Sequence, residues 1–370
     1  MTEVWIVQPY VPSYRVPFFE GLSTALRESG IILKVVAGQP DAVQAKRGDS
    51  ITPLWLTKAD DHVLRAFGRS VTLTRTRRHW QNADGVIVPH MGSSLDALSA
   101  LAWKSGLKVG VWGHIASYTS DPNPVDQAIE RWQLRRADHV FAYTPGGAAY
   151  ARARDVPDEK LTTVMNAVDT ARLATDAAAL NEKDLADFRR EKGIPDNRRH
   201  FAYLGGLDSS KRVDFLAATL DGLAQRKSDV HVIIGGAGSE SALLEPARRR
   251  GQVTMLGYVD GTTKAATLKI SIGILNPGRI GLIAVDALTV GRPILATAWR
   301  YHAPEIEYLE LGTTLLTSDD SVEAFTSLVD GYAATEAHSE AAAPPTLVDM
   351  VANFSRGVET MLGRSAVAGA

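Results

Sequence analysis

The chain has 370 residues; 45% of them are hydrophobic, 22% are charged, and the formal net charge at pH 7 is −2. This composition is that of an ordinary globular protein, so it excludes a disordered, collagen-like or fibrous chain. The near balance of charge gives no reason to expect nucleic acid as a partner. The sequence has no cysteine, which excludes a disulfide scaffold, a thiolate metal site and a cysteine nucleophile.

The N-terminal region contains no basic segment followed by a long apolar stretch, and the first strand-like run begins at Val4. No window approaches the roughly 18–20 consecutive apolar residues of a membrane span. These patterns predict a protein without a signal peptide or a transmembrane segment. The expected location is the cytoplasm, with peripheral attachment to the inner face of the membrane as an alternative.

Short apolar runs alternate with segments of helical periodicity along the first half of the chain. In the helix expected after the Pro-rich loop 9–15, Val16, Phe19, Leu22 and Leu26 lie on one face. The apolar runs lack polar alternation, which is typical of parallel strands covered on both faces. This alternation predicts a doubly wound sheet. Its strands are expected at 4–7, 31–37, 54–56, 85–88, 108–112 and 140–143, with further helices at 93–104 and 124–136.

The alternation pauses near residue 168 and then restarts. The polar stretch 170–192 predicts one connecting helix that ends at Gly193. A chain of this length predicts two domains, at roughly 100–200 residues per domain. We expect two doubly wound, Rossmann-like α/β domains facing across a cleft, at 1–168 and 169–345, and a helix at 346–370 that docks back on the N-terminal domain. The strands expected in the second half are 200–204, 230–234, 253–256, 272–275, 293–296 and 313–316, followed by a linker at 333–345.

Three glycine turns follow predicted strands of the second half, and each leads into a helix. Gly205 and Gly206 precede the adjacent cations Lys211 and Arg212, and the other two turns are 235–238 and 278–282. Ligands of open α/β sheets bind beyond the carboxyl ends of the strands, where helix N-termini bind anions. One such turn alone is more often structural. Three turns, together with these cations and a further arginine in the third turn, predict a site for a diphosphate.

The order of motifs in the second half resembles the retaining nucleotide-sugar glycosyltransferases of the GT-B fold, sequence family 4. The resemblance rests on segments 166–169, 205–211, 235–238, 256–259 and 277–297, followed by Pro304-Glu305-Ile306. It implies a GT-B fold with the nucleotide-sugar donor on the C-terminal domain. It also implies that the diphosphate is bound by Gly205, Gly206, Lys211, Arg212, Arg279, Ile280, Gly281 and Leu282, and the nucleoside by Gly236, Tyr258, Val259 and Asp286.

The sequence departs from this family pattern in both the phosphate turn and the acidic motif. Gly206 stands where the family has arginine. The family also has two glutamates separated by seven residues, the first expected at the donor sugar and the second at the ribose. Here these positions are Gly278 and Asp286. Asp286 can still accept hydrogen bonds from a ribose, or it can be a helix residue without a ligand. Because Gly278 has no side chain, either the backbone of 279–282 or Arg279 holds the sugar, or the activity is altered.

Residues of the first half are expected on the acceptor and sugar side. His114 follows a predicted strand, and the resemblance implies that a histidine in this region lies beside the transferred sugar, so His114 is the predicted catalytic residue. His90 follows its own strand in the same way. Tyr14 and Arg15 stand in the loop that replaces the family's Gly-rich loop, and Asn166 lies at the domain junction. Structural roles for His114 and Arg15 are the alternatives.

One segment of the first half is strongly basic. Between His62 and Trp80 there are five arginines with apolar residues interleaved and no acidic residue. In glycosyltransferases of this type, such a segment can contact an anionic membrane and a lipid-linked acceptor. The alternatives are a solvated surface and contact with a carbohydrate-phosphate acceptor. The arginines are Arg65, Arg69, Arg75, Arg77 and Arg78.

The resemblance implies a retaining, hexosyltransferase-type enzyme that moves a sugar from a nucleotide-diphosphate donor, a UDP-sugar by default, to a hydroxyl acceptor. The acceptor would be a glycan, a glycolipid or a small-molecule glycoside, and the expected context is bacterial surface-polysaccharide or glycoconjugate synthesis. No metal or other cofactor is expected, because no His/Asp/Glu cluster has ligand spacing. The predicted cations Lys211, Arg212 and Arg279 can offset the leaving-group charge instead.

Three alternatives to a glycosyltransferase stay open. The first is a catalytically altered sugar-nucleotide-binding protein, suggested by Gly278. The second is a GT-B sugar-nucleotide epimerase or hydrolase, which would need an acid/base pair of carboxylates that the matched motifs lack. The third is an extracytoplasmic sugar-binding protein, which the lack of a recognisable signal peptide disfavours.

Overall fold

The computed structural model describes the backbone of residues 1–41, 44–59, 62–66, 69–73, 75–104, 106–119, 121, 123–333 and 343–364, and within 60–74 it describes no side chains. The described chain divides into two compact units. The first contains residues 1–41, 50–167 and 345–364, and the second contains residues 44–49, 168–333 and 343–344. Residues 44–49 therefore group with the second unit, whereas a boundary at 168 assigns them to the first domain.

The first unit is built on a parallel sheet. Its strands, with two that form a separate hairpin, are β1 Thr2–Gln8, β2 Ile31–Ala37, β3 Leu56–Lys58, β4 His62–Ala66, β5 Arg69–Leu73, β6 Gly85–Pro89, β7 Lys108–Gly113, β8 His139–Ala142 and β9 Leu161–Thr163. The order in the seven-stranded sheet is β3-β2-β1-β6-β7-β8-β9. Val4 of β1 pairs with Leu33 of β2 on one side and with Gly85 of β6 on the other. Since the chain continues to opposite sides of β1, the order reverses between β1 and β6.

The helices of this unit present apolar faces to the sheet. In α1, Phe18, Phe19, Leu22 and Leu26 are buried, and their spacing puts them on one side of the helix. Asn123 caps α4 by accepting a hydrogen bond from the backbone of the first turn. The helices along the first 152 residues are α1 Val16–Glu28, α2 Arg77–Trp80, α3 Leu95–Ala102, α4 Pro124–Arg136 and α5 Pro145–Arg152.

All six predicted strands of the first half are found within two residues of their expected ends, and the strand expected at 54–56 is shifted by two residues to Leu56–Lys58. Two features were missed. The strand β9 has three half-buried residues, too few to produce a periodic pattern. The basic segment contains the antiparallel hairpin β4–β5, whose connecting residues 67–68 lie outside the described residues.

The second unit is built on a six-stranded parallel sheet. Its strands are β10 Arg199–Leu204, β11 Val230–Gly235, β12 Val253–Gly257, β13 Gly273–Leu275, β14 Ile294–Thr297 and β15 Leu315–Ser318. The strand order is β12-β11-β10-β13-β14-β15, so the order reverses between β10 and β13. The carboxyl ends of these two strands are therefore at the point where open α/β sheets bind ligands.

Seven helices accompany this sheet in the described part of the second unit. Their bounds are α6 Thr170–Ala179, α7 Glu182–Lys192, α8 Val213–Gln225, α9 Glu245–Arg249, α10 Gly261–Ile270, α11 Ile283–Val290 and α12 Val322–Gly331. The prediction of one connecting helix over 170–192 is wrong, because α6 ends before Leu180 and α7 starts after Asn181. The Asn181 side chain accepts hydrogen bonds from the backbone of Lys183 and Asp184, and Asp184 bonds back to the Asn181 N–H. This capping box starts a new helix.

The last helix, α13 Leu347–Met361, packs in the first unit against α1. Phe354 stacks on Phe141 with ring centroids 4.4 Å apart and meets Trp112 edge-on at 5.0 Å. Gly357 allows this approach, since a Cβ there would lie 2.5 Å from a ring carbon of Phe141. Most of the linker expected at 333–345 lies outside the described residues.

The two parallel sheets confirm the prediction of an α/β protein with two Rossmann-like domains. Among the helices of the described chain, none combines the length and the apolar character needed to cross a bilayer.

Candidate functional site

The three glycine turns of the second unit pack directly on one another. A Cβ on Gly236 would lie 1.9 Å from the carbonyl oxygen of Gly205, and a Cβ on Gly238 would lie 2.2 Å from that of Leu207. A Cβ on Gly278 would lie 2.3 Å from the carbonyl carbon of Lys211. These positions therefore require glycine for backbone packing, whether or not a ligand is bound. The contact at Gly278 also leaves no room for a side chain at the position where the resemblance implies the family's first glutamate.

Lys211 is the cation at the centre of these turns. Its Nζ donates a hydrogen bond to the carbonyl oxygen of Arg279 at 2.5 Å, and so joins the first turn to the third. Burial is the main cause that lowers the pKa of Lys211 to about 8; the positive charges of Arg279 and Arg47 act in the same direction, and Asp208 and Glu305 act against them. The ammonium is charged at neutral pH in a site already rich in positive charge.

Arg47 is a member of this site that the sequence analysis missed. Its Nε and Nη2 donate to Oδ2 of Asp208 at 3.1 and 2.8 Å, and its Nε lies 3.3 Å from the Cβ position of Gly206. Burial by itself would raise the pKa of Asp208, but hydrogen bonds from Ser210 and the charge of Arg47 outweigh it and lower the pKa. No local signal marks Arg47, because 161 residues separate it from Asp208.

Arg212 has a different environment from Lys211. Its Nη1 donates to the carbonyl of Pro277 and the hydroxyl of Thr297, each at 3.2 Å, and to Oδ1 of Asp320 at 2.5 Å. Its guanidinium also lies over the ring of Phe215 at 4.2 Å. The side chain thus cross-links three segments of the second unit, and its contact with a phosphate stays a prediction.

The turn 279–282 leads into α11. The Arg279 amide donates to the carbonyl of Ser210 at 3.0 Å, and the Ile280 amide donates to Nδ1 of His302 at 3.1 Å, so both amides are already bonded. Among the described residues, none accepts a hydrogen bond from the amides of Gly281 and Leu282. The following helix has no side-chain cap. This uncapped N-terminus has the geometry that binds an anion.

His302 positions that turn. Burial lowers the pKa of His302 to about 4, and the cations Lys211, Arg212 and Arg279 contribute, so the imidazole is neutral. Because Nδ1 accepts the Ile280 amide hydrogen, the ring proton resides on Nε2. His302 was not predicted, and its sequence context contains no motif that would have indicated it.

The residues expected at the nucleoside lie on neighbouring parts of the same sheet edge. Tyr258 and Val259 follow β12, and Tyr258 is 45% exposed. The amide of Gly236, which follows β11, donates to the carbonyl of Gly257 at 2.6 Å. Val259 packs on the second glycine turn.

Asp286 forms an ion pair with Lys264, with Nζ 2.6 Å from Oδ1. Both side chains are largely buried, and burial raises the pKa of Asp286 against the opposing effect of the Lys264 charge. Lys264 lies on α10 and was not predicted. The role of Asp286 at a ribose stays a prediction, and the ion pair provides its alternative, structural role.

In the first unit, the predicted residues meet at the carboxyl end of the sheet. Arg15, in the loop after β1, donates from Nη2 to Oδ1 of Asn166 at 2.6 Å. The ring of Tyr143 lies 5.2 Å from the ring of His114 and 5.8 Å from the Arg15 guanidinium. Tyr14 is half exposed beside Arg15. The structure therefore brings these residues together around Tyr143.

His90 is not part of the group around Tyr143; it is a buried, neutral histidine that bonds to α4. Its Nε2 donates to the backbone carbonyl of Glu130 at 3.2 Å, and burial lowers its pKa to about 4. The neutral ring connects the loop after β6 to α4. This is a structural contact, and a role for His90 with the acceptor stays a prediction.

Three arginines of the basic segment line a cavity of about 700 Å³ on the first unit. Arg77 lies over the ring of Trp103, which is 62% exposed. The side chains of the other two arginines lie outside the described residues. The wall includes Arg75, Arg77, Arg78, Leu98, Trp103 and Trp132.

Across the described side chains, no group of three histidines or carboxylates is arranged to hold a metal ion.

Both halves of the chain match known protein families. Residues 18–172 match the family described as Glycosyltransferase Family 4, and residues 198–332 match the one described as Glycosyl transferases group 1. An uncharacterized glycosyltransferase of Methanocaldococcus jannaschii is 22% identical over 153 residues, which are 39% of this chain and 38% of that protein. Phosphatidyl-myo-inositol mannosyltransferase of Mycolicibacterium smegmatis is 30% identical over 135 residues, 34% of this chain and 35% of that protein. The alignments span little more than a third of these relatives.

Solved structures are similar along almost the whole chain. A glycosyltransferase of Rickettsia africae has a TM-score of 0.70 at 14% identity, covering 98% of this chain and 99% of that one. HepE of Anabaena, in complex with UDP and glucose, has a TM-score of 0.65 at 12% identity, with 97% and 100% covered. The UDP-GlcNAc 2-epimerase of M. jannaschii has a TM-score of 0.60 at 15% identity, with 97% and 99% covered. The two family matches and this shared fold agree with the motifs of the second unit: the first half of the chain matches glycosyltransferase family 4, the second half matches glycosyl transferases group 1, and the chain has the GT-B fold.

Proposed function

We propose that this chain transfers a sugar from a nucleotide-diphosphate donor and binds the donor diphosphate in a cradle on its second unit. The cradle consists of the turns 205–212 and 278–282 with Arg47. The observation that carries this proposal is the convergence of Lys211, Arg47 and Arg279 beside the uncapped N-terminus of α11. Three cations here face two carboxylates, Asp208 and Glu305. The excess positive charge and the helix dipole suit a diphosphate, and they would stabilise it as a leaving group.

The donor we favour is a UDP-sugar. UDP appears with HepE of Anabaena in a structure of the same fold. The base would lie near Tyr258 and Val259, which follow β12. Asp286 would reach the ribose if it shares its carboxylate with Lys264. With no room for a side chain at Gly278, the sugar would be held through the backbone of 279–282.

The first unit is proposed to bind the acceptor and to place His114 beside the transferred sugar, with Tyr14, Arg15, His90 and Asn166 on the acceptor side. Retention of anomeric configuration and a hexosyl donor are proposed from the family resemblance. A role in bacterial glycoconjugate or surface-polysaccharide synthesis, at the cytoplasmic face of the membrane, is proposed on the same basis.

Contact with an anionic membrane is proposed for the basic segment. Its support is the apolar cavity lined by Arg75, Arg77 and Arg78, where Arg77 lies over the exposed ring of Trp103. Arginine together with an amphipathic aromatic ring is typical of surfaces that meet lipid headgroups.

The proposed donor site is tested by thermal unfolding with UDP, GDP, ADP and their sugars, using the wild type, Lys211→Met and the exposed control Lys183→Met. A ligand at 100 times its dissociation constant should add about 2.7 kcal/mol to the free energy of unfolding. We expect UDP to stabilise the wild type and the control, and the shift to shrink in Lys211→Met. A panel that stabilises none of the three proteins would refute the donor site.

The second candidate function is that of a sugar-nucleotide epimerase or hydrolase. It is favoured by the fold that this chain shares with the UDP-GlcNAc 2-epimerase of M. jannaschii. Incubation of the chain with the stabilising nucleotide sugar, with and without a panel of hydroxyl acceptors, separates the two. Glycoside formed only with an acceptor supports transfer. An epimerised or hydrolysed sugar without an acceptor supports the second candidate, and binding without any product indicates a sugar-nucleotide-binding protein.

A further inference from the structure

The guanidinium of Arg15 is buried in the first unit among aromatic rings. The side chain is 6% exposed. Its central carbon lies 5.4 to 6.0 Å from the ring centroids of Tyr14, Phe18, Trp112 and Tyr143. These rings favour a cation through their faces, but they carry no charge that would neutralise it.

The hydrogen-bonding capacity of Arg15 is largely unused. A guanidinium has five N–H donors, and the described residues provide two acceptors, the amide oxygen of Asn166 at 2.6 Å and the sulfur of Met350 at 3.6 Å. The first is neutral and the second is a weak acceptor. No described carboxylate forms an ion pair with Arg15. A buried charge without a counter-charge costs stability, so its retention calls for a reason.

The position of Arg15 supplies that reason. Arg15 immediately precedes α1, a helix of 13 residues with no side-chain cap and no acidic residue in its first turn. The loop follows β1, at the point where the strand order reverses towards β6. The positive end of the helix dipole and the buried guanidinium therefore meet at the edge where open α/β sheets bind ligands. His114 is at the same edge, and its ring also neighbours that of Tyr143.

We propose that Arg15 is the anchor of an anion subsite in the first unit, and that a substrate of this enzyme presents a phosphate or a carboxylate to it. The anion supplies the missing counter-charge and accepts the unused N–H donors, while Asn166 holds the guanidinium in place. Reading this anion as part of a substrate rests on the proposed function; the anion subsite itself does not.

The subsite is tested with inorganic phosphate, by thermal unfolding in phosphate and in sodium chloride of equal ionic strength. All variants are made in a Lys211→Met background, which removes the central cation of the diphosphate cradle. We expect phosphate to raise the melting temperature of the background protein and of Arg154→Met, but not that of Arg15→Met. Arg154 is the matched control because it also lies over an aromatic ring of the first unit, Tyr150.

Two further readouts separate a ligand role from a structural one. Arg15→Met removes an uncompensated charge and retains the apolar stem, so without phosphate it should melt at or above the temperature of the background protein. Arg15→Lys retains the charge and should keep part of the phosphate effect. A phosphate effect that survives in Arg15→Met, or that is missing from the background protein, would overturn the proposal.

The source of the anion is then assigned with UDP and Arg15→Met in the otherwise wild-type chain. An increase of about tenfold in the dissociation constant of UDP assigns the anion to the donor. An unchanged UDP affinity, with a raised KM for the acceptor in transfer assays, assigns it to the acceptor. If UDP does not bind the wild type at all, the proposed function fails, whereas the phosphate-dependent shift still decides the subsite.

Discussion

The charge of Lys211 should make binding of the proposed donor depend on pH. Its pKa of about 8 means that the ammonium is lost as the pH rises through 8, so the affinity for UDP should fall by up to about tenfold per pH unit above that value. Lys211→Arg stays charged throughout and should bind UDP with a much flatter profile between pH 7 and 9. Isothermal titration at several pH values tests this. Equal slopes for both proteins would show that another group controls the dependence.

The lowered pKa of Lys211 also makes the stability of the ligand-free protein depend on pH, but in the opposite direction to UDP binding. The pKa of Lys211 is lowered from 10.5 to about 8 in the folded chain, so between these values the unfolded chain binds more protons. The contribution of Lys211 to the free energy of unfolding therefore rises with pH across that window. Donor binding and ligand-free stability respond to this one residue in opposite directions.

A double-mutant cycle of Arg47 and Asp208, measured on UDP affinity, tests whether Arg47 contacts the diphosphate or only neutralises Asp208. If Arg47 contacts the diphosphate, Arg47→Ala should weaken binding about tenfold, Asp208→Asn should not weaken it, and the double variant should be as weak as Arg47→Ala. If Arg47 only neutralises the carboxylate 2.8 Å away, the double variant should regain wild-type affinity. The cycle isolates the pair because each change removes one partner of the same contact.

Among the elements, the glycine turns show which features of the site could be predicted. Their spacing after strands correctly indicated three turns at one sheet edge. The motifs predict that these turns bind phosphate, whereas the structure shows that several of their glycines are required where one turn packs on another. Such backbone contacts join residues far apart in the chain, as Gly278 and Lys211 are, so local patterns cannot reveal them. The same holds for Arg47 and for the Ile280–His302 hydrogen bond.

The secondary structure also contains elements that local sequence patterns predict and elements that they do not. Long apolar strands and the amphipathic α1 were predictable because each carries its own periodicity. The break between α6 and α7 was also encoded locally, in the Asn181–Asp184 capping box, but the polar composition of 170–192 concealed it. By contrast, β9 is stabilised by pairing with β8, which no feature of three residues can indicate.

The packing of the third turn predicts that Gly278 cannot be replaced. Gly278→Ala places a Cβ against the backbone of Lys211, so the loops must move, at a cost of about 1–3 kcal/mol in the free energy of unfolding. Gly278→Glu, which restores the family's residue, should also destabilise the chain and abolish stabilisation by UDP. Gly331→Ala is the control, because its Cβ would have no neighbour within 4 Å. A well-folded Gly278→Glu with improved donor binding would contradict this account.

For the molecule as a whole, each sheet has its own hydrophobic core, and α13 belongs to the first unit. Phe354 of this helix is fully buried against Phe141, Trp112 and Phe18. Phe354→Ala should therefore cost about 3–5 kcal/mol in the stability of the first unit. Val348→Ala, on the same helix at a position 74% exposed, should cost little.

Scanning calorimetry of Phe354→Ala with and without UDP tests which of the two units binds the nucleotide. Two units with separate cores should unfold in two transitions, of which Phe354→Ala lowers one and UDP raises the other. Because the proposed cradle lies entirely in the second unit, Phe354→Ala should bind UDP with wild-type affinity below its lower transition. If UDP instead raises the transition that Phe354→Ala lowers, or if the variant loses UDP binding while it is still folded, the nucleotide depends on the first unit. The diphosphate would then have to be assigned to Arg15 rather than to Lys211.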